Sequence, residues 1–572
     1  MPTRLPRRRT LAVGALLASA AILTGGLPAT AAQTTAAQST AGSTDVRLIA
    51  FNDLHGNLEP PAGSSGEVTL DDGSTVPAGG ASYLATHINQ LRKEAPNSLV
   101  LSSGDSIGAS PLPSALFHDE PTMALLRQLD VRASAVGNHE FDEGLAELRR
   151  MQRGGCHPED GCQFRDSYPG AGFPILGANV KHDNGLPAMP PFTIELVGGV
   201  PVGIIGLPLE DTPEVVAPEA VEGLKFGSEV AAINRASKAL SALGVRAQTV
   251  LMHNGDEAEG GPNACAGPAG PAREISEQAA PEVDVFFQAH SHSQYNCTVT
   301  DPAGEPRPVI QGLSYGRLLS VVDLSVDRRT GDVLREQTTA RNLPVTRDVP
   351  PDPATEELVN EAVEKSAPIA NEPVGSITED INREAEKSGE SALGNVIADA
   401  QLVATAEAGA QLALMNPGGI RENLSHAGSP ANEGDGVVTY GEAYAVQPFG
   451  NILQTITLTG EQLRAVLEQQ WRQDEEDVVL QVSSTLRYSW SASAPVGAKV
   501  SDITIDGKPV DPNAEYRVTV NNFLSTGGDG FTELREGADL QGGAVDLDAF
   551  TAYLGANENL GAPATDRITV LD

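Results

Sequence analysis

Between residues 46 and 292 the chain repeats one arrangement: a short apolar run of strand length, in five of six cases followed within three residues by Asp, Asn or His. Apolar runs at 46–51, 98–102, 133–136, 202–207, 249–252 and 283–287 alternate with helix-like stretches, which predicts buried strands of an α/β layered fold. Reading on from these runs gives Asn52-Asp53-Leu54-His55-Gly56, Gly104-Asp105, Gly137-Asn138-His139-Glu140, His253-Asn254 and His290-Ser291-His292. Groups at the carboxyl ends of several strands of one sheet meet in one crevice, the place where open α/β sheets bind ligands. A single histidine reads most simply as a surface or satisfied core residue. Here five of the ten histidines fall in these motifs, in order, and that bland reading fails for the set.

A second half follows. Proline-containing residues 343–353 and a polar helical segment at 354–365 separate it from the first, and it resumes near Val374. It carries a predicted helix at 391–410, an alternating strand at 452–458, a capped helix at 459–471 and a hairpin signal at Asp506-Gly507. The expected organisation is residues 45–345, a linker with a helix at 346–372, and a mixed α/β domain at 373–572. Ahead of these, Arg7-Arg8-Arg9, an apolar run at 11–23 and Ala29-Thr30-Ala31 read as a secretory signal over 1–31, with a flexible leader at 32–44. Arg8-Arg9-Thr10-Leu11 also loosely resembles a twin-arginine signal. The apolar run is too short for a membrane span of ~20 residues, so a secreted, extracellular protein without a membrane anchor is expected.

Composition excludes some functions. Asp and Glu number 76 against 38 Lys and Arg, a formal charge of −38, which repels nucleic acid polymers and anionic membranes. The four cysteines form no C-x-x-C, so neither a zinc ribbon nor a thioredoxin-type dithiol is supported. Export makes disulfides the expectation. Of three possible pairings, Cys156 with Cys162 and Cys265 with Cys297 is favoured; free thiols or other pairings stay open at this level.

The motif set Asp-x-His, Gly-Asp, Gly-Asn-His-Glu, His and His-x-His resembles that of the binuclear metallophosphoesterases and, with the second half, the secreted bacterial 5′-nucleotidase family. The resemblance implies an α/β layered metallophosphoesterase sandwich domain followed by a mixed α/β 5′-nucleotidase C-terminal domain. It implies two divalent metal ions, one held by Asp53, His55 and His292, the other by Asn138, His253 and His290, with Asp105 bridging. An oxygen and imidazole shell suits Zn, Mn, Fe or Co better than Ca or Mg. Two dications bring four positive charges and Asp53 and Asp105 return two, so the site can attract a phosphate dianion inside an acidic protein. His139 is left without a metal and is expected to stabilise charge or act as general acid. Asp142 reads on residues alone equally as a helix-start carboxylate; the resemblance implies that it orients His139.

In the second half the same resemblance singles out Asn416-Pro417-Gly418-Gly419-Ile420-Arg421, Pro448-Phe449-Gly450-Asn451, and Phe523 followed by Gly527 to Phe531. Without it the two Phe residues read as core packing. With it, Phe449 and Phe523 sandwich a nucleobase, Asp529 accepts ribose hydroxyls, Asn416 and Asn451 reach the base, and Arg383 and Arg421 reach phosphate. Where some family members carry a second arginine, four residues after the Arg383 position, this chain has Lys387, a point charge without bidentate geometry. The expected activity is removal of the 5′-phosphate from nucleotides, small-molecule substrates, with no protein partner predicted. Alternatives are a 2′,3′-cyclic nucleotide 2′-phosphodiesterase with 3′-nucleotidase activity and, from another class, a non-catalytic secreted binding protein.

Overall fold

The computed structural model describes residues 42–61, 63–265, 270–428, 433–472 and 477–572. Strand Ser43–Phe51 shows why the first half forms layers. Val46, Leu48 and Ala50 point to one face and Ile49 and Phe51 to the other, and all five are buried. A strand apolar on both faces must be covered on both. One face meets a second sheet; the other meets helices Ala81–Glu94 and Pro353–Ala370.

Two six-stranded sheets result. The first runs in the order Thr339–Pro344, Leu318–Asp327, Ser43–Phe51, Ser98–Ser102, Val131–Ala135, Ile175–Leu176, its last four strands parallel. The second runs Gln294–Thr300, Pro306–Gly312, Val285–Phe287, Ala247–His253, Val200–Pro208, Phe192–Val197, with a parallel centre. Leu101, Ala133 and Leu176 of the first sheet pack on Val202, Ile204, Leu251 and Phe287 of the second. Helices Glu229–Ala242 and Pro271–Gln278 cover the second sheet through Ile233, Leu240 and Ala272.

The six apolar runs are all strands. Ser43 and Thr44, expected in the leader, already pair with Asp327 and Val326, while the expected signal and the rest of the leader lie outside the described residues except Gly42. The helix expected at 354–365 extends over Pro353–Ala370, capped by Asp352, whose side chain accepts from Thr355 N at 3.0 Å. Its Leu358, Val359 and Ala362 are buried in the core of the first half, so this segment is a packed buttress.

In the second half a five-stranded sheet runs Gln481–Val482, Leu412–Met415, Glu515–Asn521, Ile452–Thr459, Ala538–Val545. The helix expected at 391–410 spans Ala392–Ala404; Ser391 caps it, and it stops where Thr405 turns its hydroxyl onto Gln401 O. Thr459 and Gln462 form a capping box that starts helix Gly460–Glu468. Asp506-Gly507 turns strand Val500–Ile505 into Lys508–Pro509. Disulfides join Cys156 to Cys162 and Cys265 to Cys297. Among the described residues, no helix is long and apolar enough to cross a membrane.

Candidate active site

Each motif begins where its strand stops. Asp53 and His55 follow strand Ser43–Phe51, Asp105 follows Ser98–Ser102, Asn138 and His139 follow Val131–Ala135, and His253 ends Ala247–His253. His290 and His292 follow Val285–Phe287, so both sheets deliver their carboxyl ends to one place. Five of these residues, Asp53, His55, Asp105, His290 and His292, have φ between 45° and 76°, the left-handed region. The chain turns sharply at each and aims the side chain back across the strand ends.

The donor atoms are close; Asp53, His55, Asp105, Asn138 and His253 are buried, and His290 and His292 half-buried. His253 Nε2 lies 3.0 Å from Asp105 Oδ2 and 3.1 Å from Asn138 Oδ1, and His290 Nδ1 lies 3.0 Å from the same Asn138 oxygen. His55 Nε2 lies 3.1 Å from His292 Nε2 and 3.7 Å from Asp105 Oδ2, and His292 Nε2 lies 3.6 Å from Asp53 Oδ1. Asp105 therefore faces both groups. Backbone carbonyls fix two imidazoles: His55 Nδ1 donates to Gly108 O at 2.9 Å and His253 Nδ1 to Ser103 O at 3.0 Å, which turns both Nε2 atoms inward. Close approach needs glycine, since a Cβ on Gly137 would collide with Asp105 Oδ1 and lie 2.7 Å from His253 Cε1.

This donor set, imidazole nitrogens with carboxylate and amide oxygens, fits divalent cations. Burial holds His55 and His292 well below the usual histidine range, and burial together with His253 lowers His290 to about 3. All three are thus neutral, the form that can ligate an ion. Burial pushes Asp105 up, but His253 and His139 outweigh it and hold the carboxyl well below its ordinary range. Burial also raises Asp53 to about 7, an effect that the charge of a bound dication would oppose.

His139 borders the cluster. Its Nδ1 lies 3.0 Å from Asp142 Oδ2, its backbone N–H donates to Asp105 Oδ1 at 2.9 Å, and its ring meets His55 edge-on at 5.0 Å. Burial lowers its basicity, but Asp142 and Asp105 raise it overall.

From the second half, Phe449 lies over His139, rings 5.5 Å apart and 22° from parallel, and the Arg421 guanidinium lies 5.8 Å from the Phe449 centroid. Arg421 donates to Gly418 O at 3.3 Å, and its charge depresses His55, His290 and His292. Asn416 donates to Asp529 Oδ2 at 2.9 Å, with Asn521 donating to Asn416 Oδ1 at 3.1 Å. Burial raises Asp529 to about 6. Phe523 lies against Gly528, where a Cβ would come within 2.5–2.6 Å of the ring. Phe449 thus stacks on His139 while Phe523 covers a glycine turn, each ring with its own neighbour. Arg383 donates to Ile420 O at 2.8 Å and is half-buried, whereas Lys387 is exposed. Asn451 points its amide at Asp546 Oδ2, 3.2 Å away, at the start of helix Asp546–Ala556.

Three contributors escaped the sequence reading. Glu140 accepts from Asp105 N at 2.9 Å, Ser106 N at 2.8 Å and Gly137 N at 2.5 Å, tying two ligand loops together. Asn52 donates to Asp53 Oδ2 at 2.6 Å and accepts from Gly312 N at 3.1 Å. Tyr315 packs edge-on to His55 and His292 at 6.0 and 5.6 Å. Glu140 and Asn52 stood inside the quoted motifs, so adjacency was their signal; Tyr315 had none.

Comparison with known proteins agrees with this geometry. The calcineurin-like phosphoesterase family matches residues 46–294, and the 5′-nucleotidase C-terminal domain matches 373–536. The chain is 32% identical over 565 residues to the cell wall protein Lmo0130 of Listeria monocytogenes, covering 93% of this chain and 69% of that protein. It is 32% identical over 484 residues to the endonuclease YhcR of Bacillus subtilis, covering 84% of this chain but only 37% of that longer protein. The crystal structure of a 5′-nucleotidase precursor from Thermus thermophilus superposes with a TM-score of 0.76 at 29% identity, covering 92% of this chain and 100% of that one. With both domains matched and both strand-end clusters in place, the chain belongs to the 5′-nucleotidase family of metallophosphoesterases.

Proposed function

We infer that the chain is an exported, metal-dependent phosphohydrolase that removes the 5′-phosphate from nucleotides. The observation that carries this is the meeting of Phe449 and Arg421, from the second half, with His139 at the edge of the buried ligand cluster. An aromatic face and a guanidinium beside a phosphate-processing site match a substrate with a flat base and an anionic end. The name of the Thermus relative, a 5′-nucleotidase precursor, supports the same reading. The Arg-rich start, the apolar run after it and the two disulfides support export.

Asp53, His55 and His292 would hold one ion, Asn138, His253 and His290 a second, with Asp105 shared. Such a pair supplies a water acidified enough to attack at neutral pH and positive charge for the phosphoryl oxygens. The protein does the rest. Asp142 accepts the Nδ1 proton of His139 and orients the ring, leaving Nε2 to hold or give a proton at the leaving oxygen. Arg421 and Arg383 draw the phosphate in. Phe449 and Phe523 bind the base, and Asp529, positioned by Asn416, accepts from ribose hydroxyls. Burial of the cluster excludes bulk water and strengthens each of these interactions.

The test is phosphate release from AMP by purified protein, before and after chelation and after separate return of Mn, Zn, Co and Mg. Chelator-sensitive release from AMP, faster than from 3′-AMP or 2′,3′-cyclic AMP, is expected. Preference for the cyclic or 3′ ester would overturn the 5′ assignment, and no hydrolysis with any metal would favour a binding protein.

A further inference from the structure

A second cluster of ligand-type side chains lies outside the residues assigned above. The disulfide Cys156–Cys162 closes a loop that carries His157 and Asp160, and this loop meets His118 from the turn before helix Glu120–Gln128. His118 Nε2 lies 2.9 Å from Asp160 Oδ2, and His157 Nδ1 lies 3.2 Å from the same oxygen. On its other side, His118 Nδ1 faces Glu143 Oε2 at 3.4 Å. Donor atoms of His118, His157 and Asp160 all lie within 4.8 Å of one another.

These spacings fit a cation. Zinc bonds of ~2.0–2.1 Å at tetrahedral angles put neighbouring donors ~3.3 Å apart. The separations here are 2.9 and 3.2 Å, like the 3.0 and 3.1 Å between donors in the principal cluster. The carboxylate, imidazole and ligand position fall in a chain: Glu143 takes the Nδ1 proton, which leaves the His118 Nε2 lone pair for an ion. The backbone is also set for it. His118 and Asp119 are consecutive left-handed residues, φ 50° and 56°, and His157 and Gly161 exchange backbone hydrogen bonds of 3.1 and 3.0 Å inside the disulfide loop.

We propose that His118, His157 and Asp160 form an additional divalent-cation site, with Glu143 fixing the His118 tautomer and water completing the shell. Two imidazoles select a borderline transition cation such as Zn²⁺ over Ca²⁺ or Mg²⁺. The His118 and His157 rings are stacked, 4.0 Å apart and 14° from parallel, so ligation turns one ring and gives up the 3.2 Å bond from Asp160 N to His157 Nδ1. Asp160 is exposed, which leaves the ion an entry path. The site also touches the active centre through the chain. Glu143 follows Asp142, and the Asp119 carboxylate accepts from Gly108 N at 3.1 Å, whose carbonyl holds His55. An ion here would stiffen both supports.

The experiment uses full-length protein, stripped with chelator and dialysed against low-micromolar Zn²⁺, with metal counted by elemental analysis. His157→Ala/Asp160→Ala should bind one zinc fewer per chain than wild type. The same one-ion difference should persist in an Asp105→Asn background, where loss of the principal ions is separate from loss of this one. A wild-type melting temperature raised by zinc more than that of the double variant is the second expected readout. Equal zinc content in both backgrounds would overturn the proposal and leave the cluster a metal-free ion pair.

Discussion

Replacing Glu140 by Gln keeps the side chain's length but removes its charge and one of its two acceptor oxygens. The structure sets the cost. One carboxylate oxygen accepts from Asp105 N and Gly137 N, the other from Ser106 N. A Gln carbonyl can keep the first two bonds, while its NH₂ then faces the Ser106 N–H, donor against donor. A buried orphan donor costs ~1–3 kcal/mol, and two bonds that lose charge assistance cost roughly 0.5–1 kcal/mol each. The sum is ~2–5 kcal/mol, borne by the two loops that present Asp105 and Asn138. Melting of chelator-treated protein should therefore fall by at least ~2 °C. Because the change displaces ligands without touching them, AMP hydrolysis and metal affinity should drop ~10–100-fold. A variant that melts within about a degree of wild type, binds its metals fully and turns over AMP within twofold would refute the argument that Glu140 sets the site.

Asp105→Asn should abolish more AMP hydrolysis than His292→Ala, because Asp105 faces both ligand groups; equal residual rates and unchanged metal content would contradict that. Phe449→Ala and Phe523→Ala should each cost ~1–3 kcal/mol in AMP binding while an aryl phosphate is cleaved as before, and a parallel loss on both substrates would count against base recognition. Removing the Cys265–Cys297 bridge, which spans a separation of 32, should cost ~3–4 kcal/mol by loop entropy, read as a lower melting temperature for Cys265→Ser/Cys297→Ser. In metal-free protein the Glu143 hydrogen bond raises His118 to about 9 against burial, with Asp160, His157 and Glu147 also facing it. A raised histidine stabilises the fold fully below its unfolded value of ~6.5 and loses that contribution as pH climbs through about 9. The melting gap between wild type and His118→Ala should narrow from about pH 6 to about pH 10, and a constant gap would show that the charge contributes nothing.

What could be read from the sequence followed the strands. Each metal-type motif began at the end of an apolar run, so Asp53, Asp105, Asn138 and His253 could be placed on one crevice before any coordinates. Glu140 could not be assigned, because its partners are three backbone N–H groups and backbone groups leave no trace in a sequence. Asn451 lies beyond the reach of motif spacing in another way: its amide is turned to Asp546, a contact 95 residues away that the motif does not reveal. The helix at Pro353–Ala370 was visible as a helix, but its role as part of the first core depended on which face found a neighbour.

The left-handed turns at Asp53, His55, Asp105, His290 and His292 bear on how such a site can change. Asp, Asn and His are the non-glycine residues most often found in that backbone region, and they are also the common oxygen and nitrogen donors to metals. At these positions the demands of backbone geometry and of coordination chemistry select the same few amino acids. A change from Asp53 to Glu would preserve the charge yet combine a worse turn with a longer reach. Two independent requirements met by one residue leave little neutral ground around it, so these positions are where substitutions that look conservative on paper should be least forgiving.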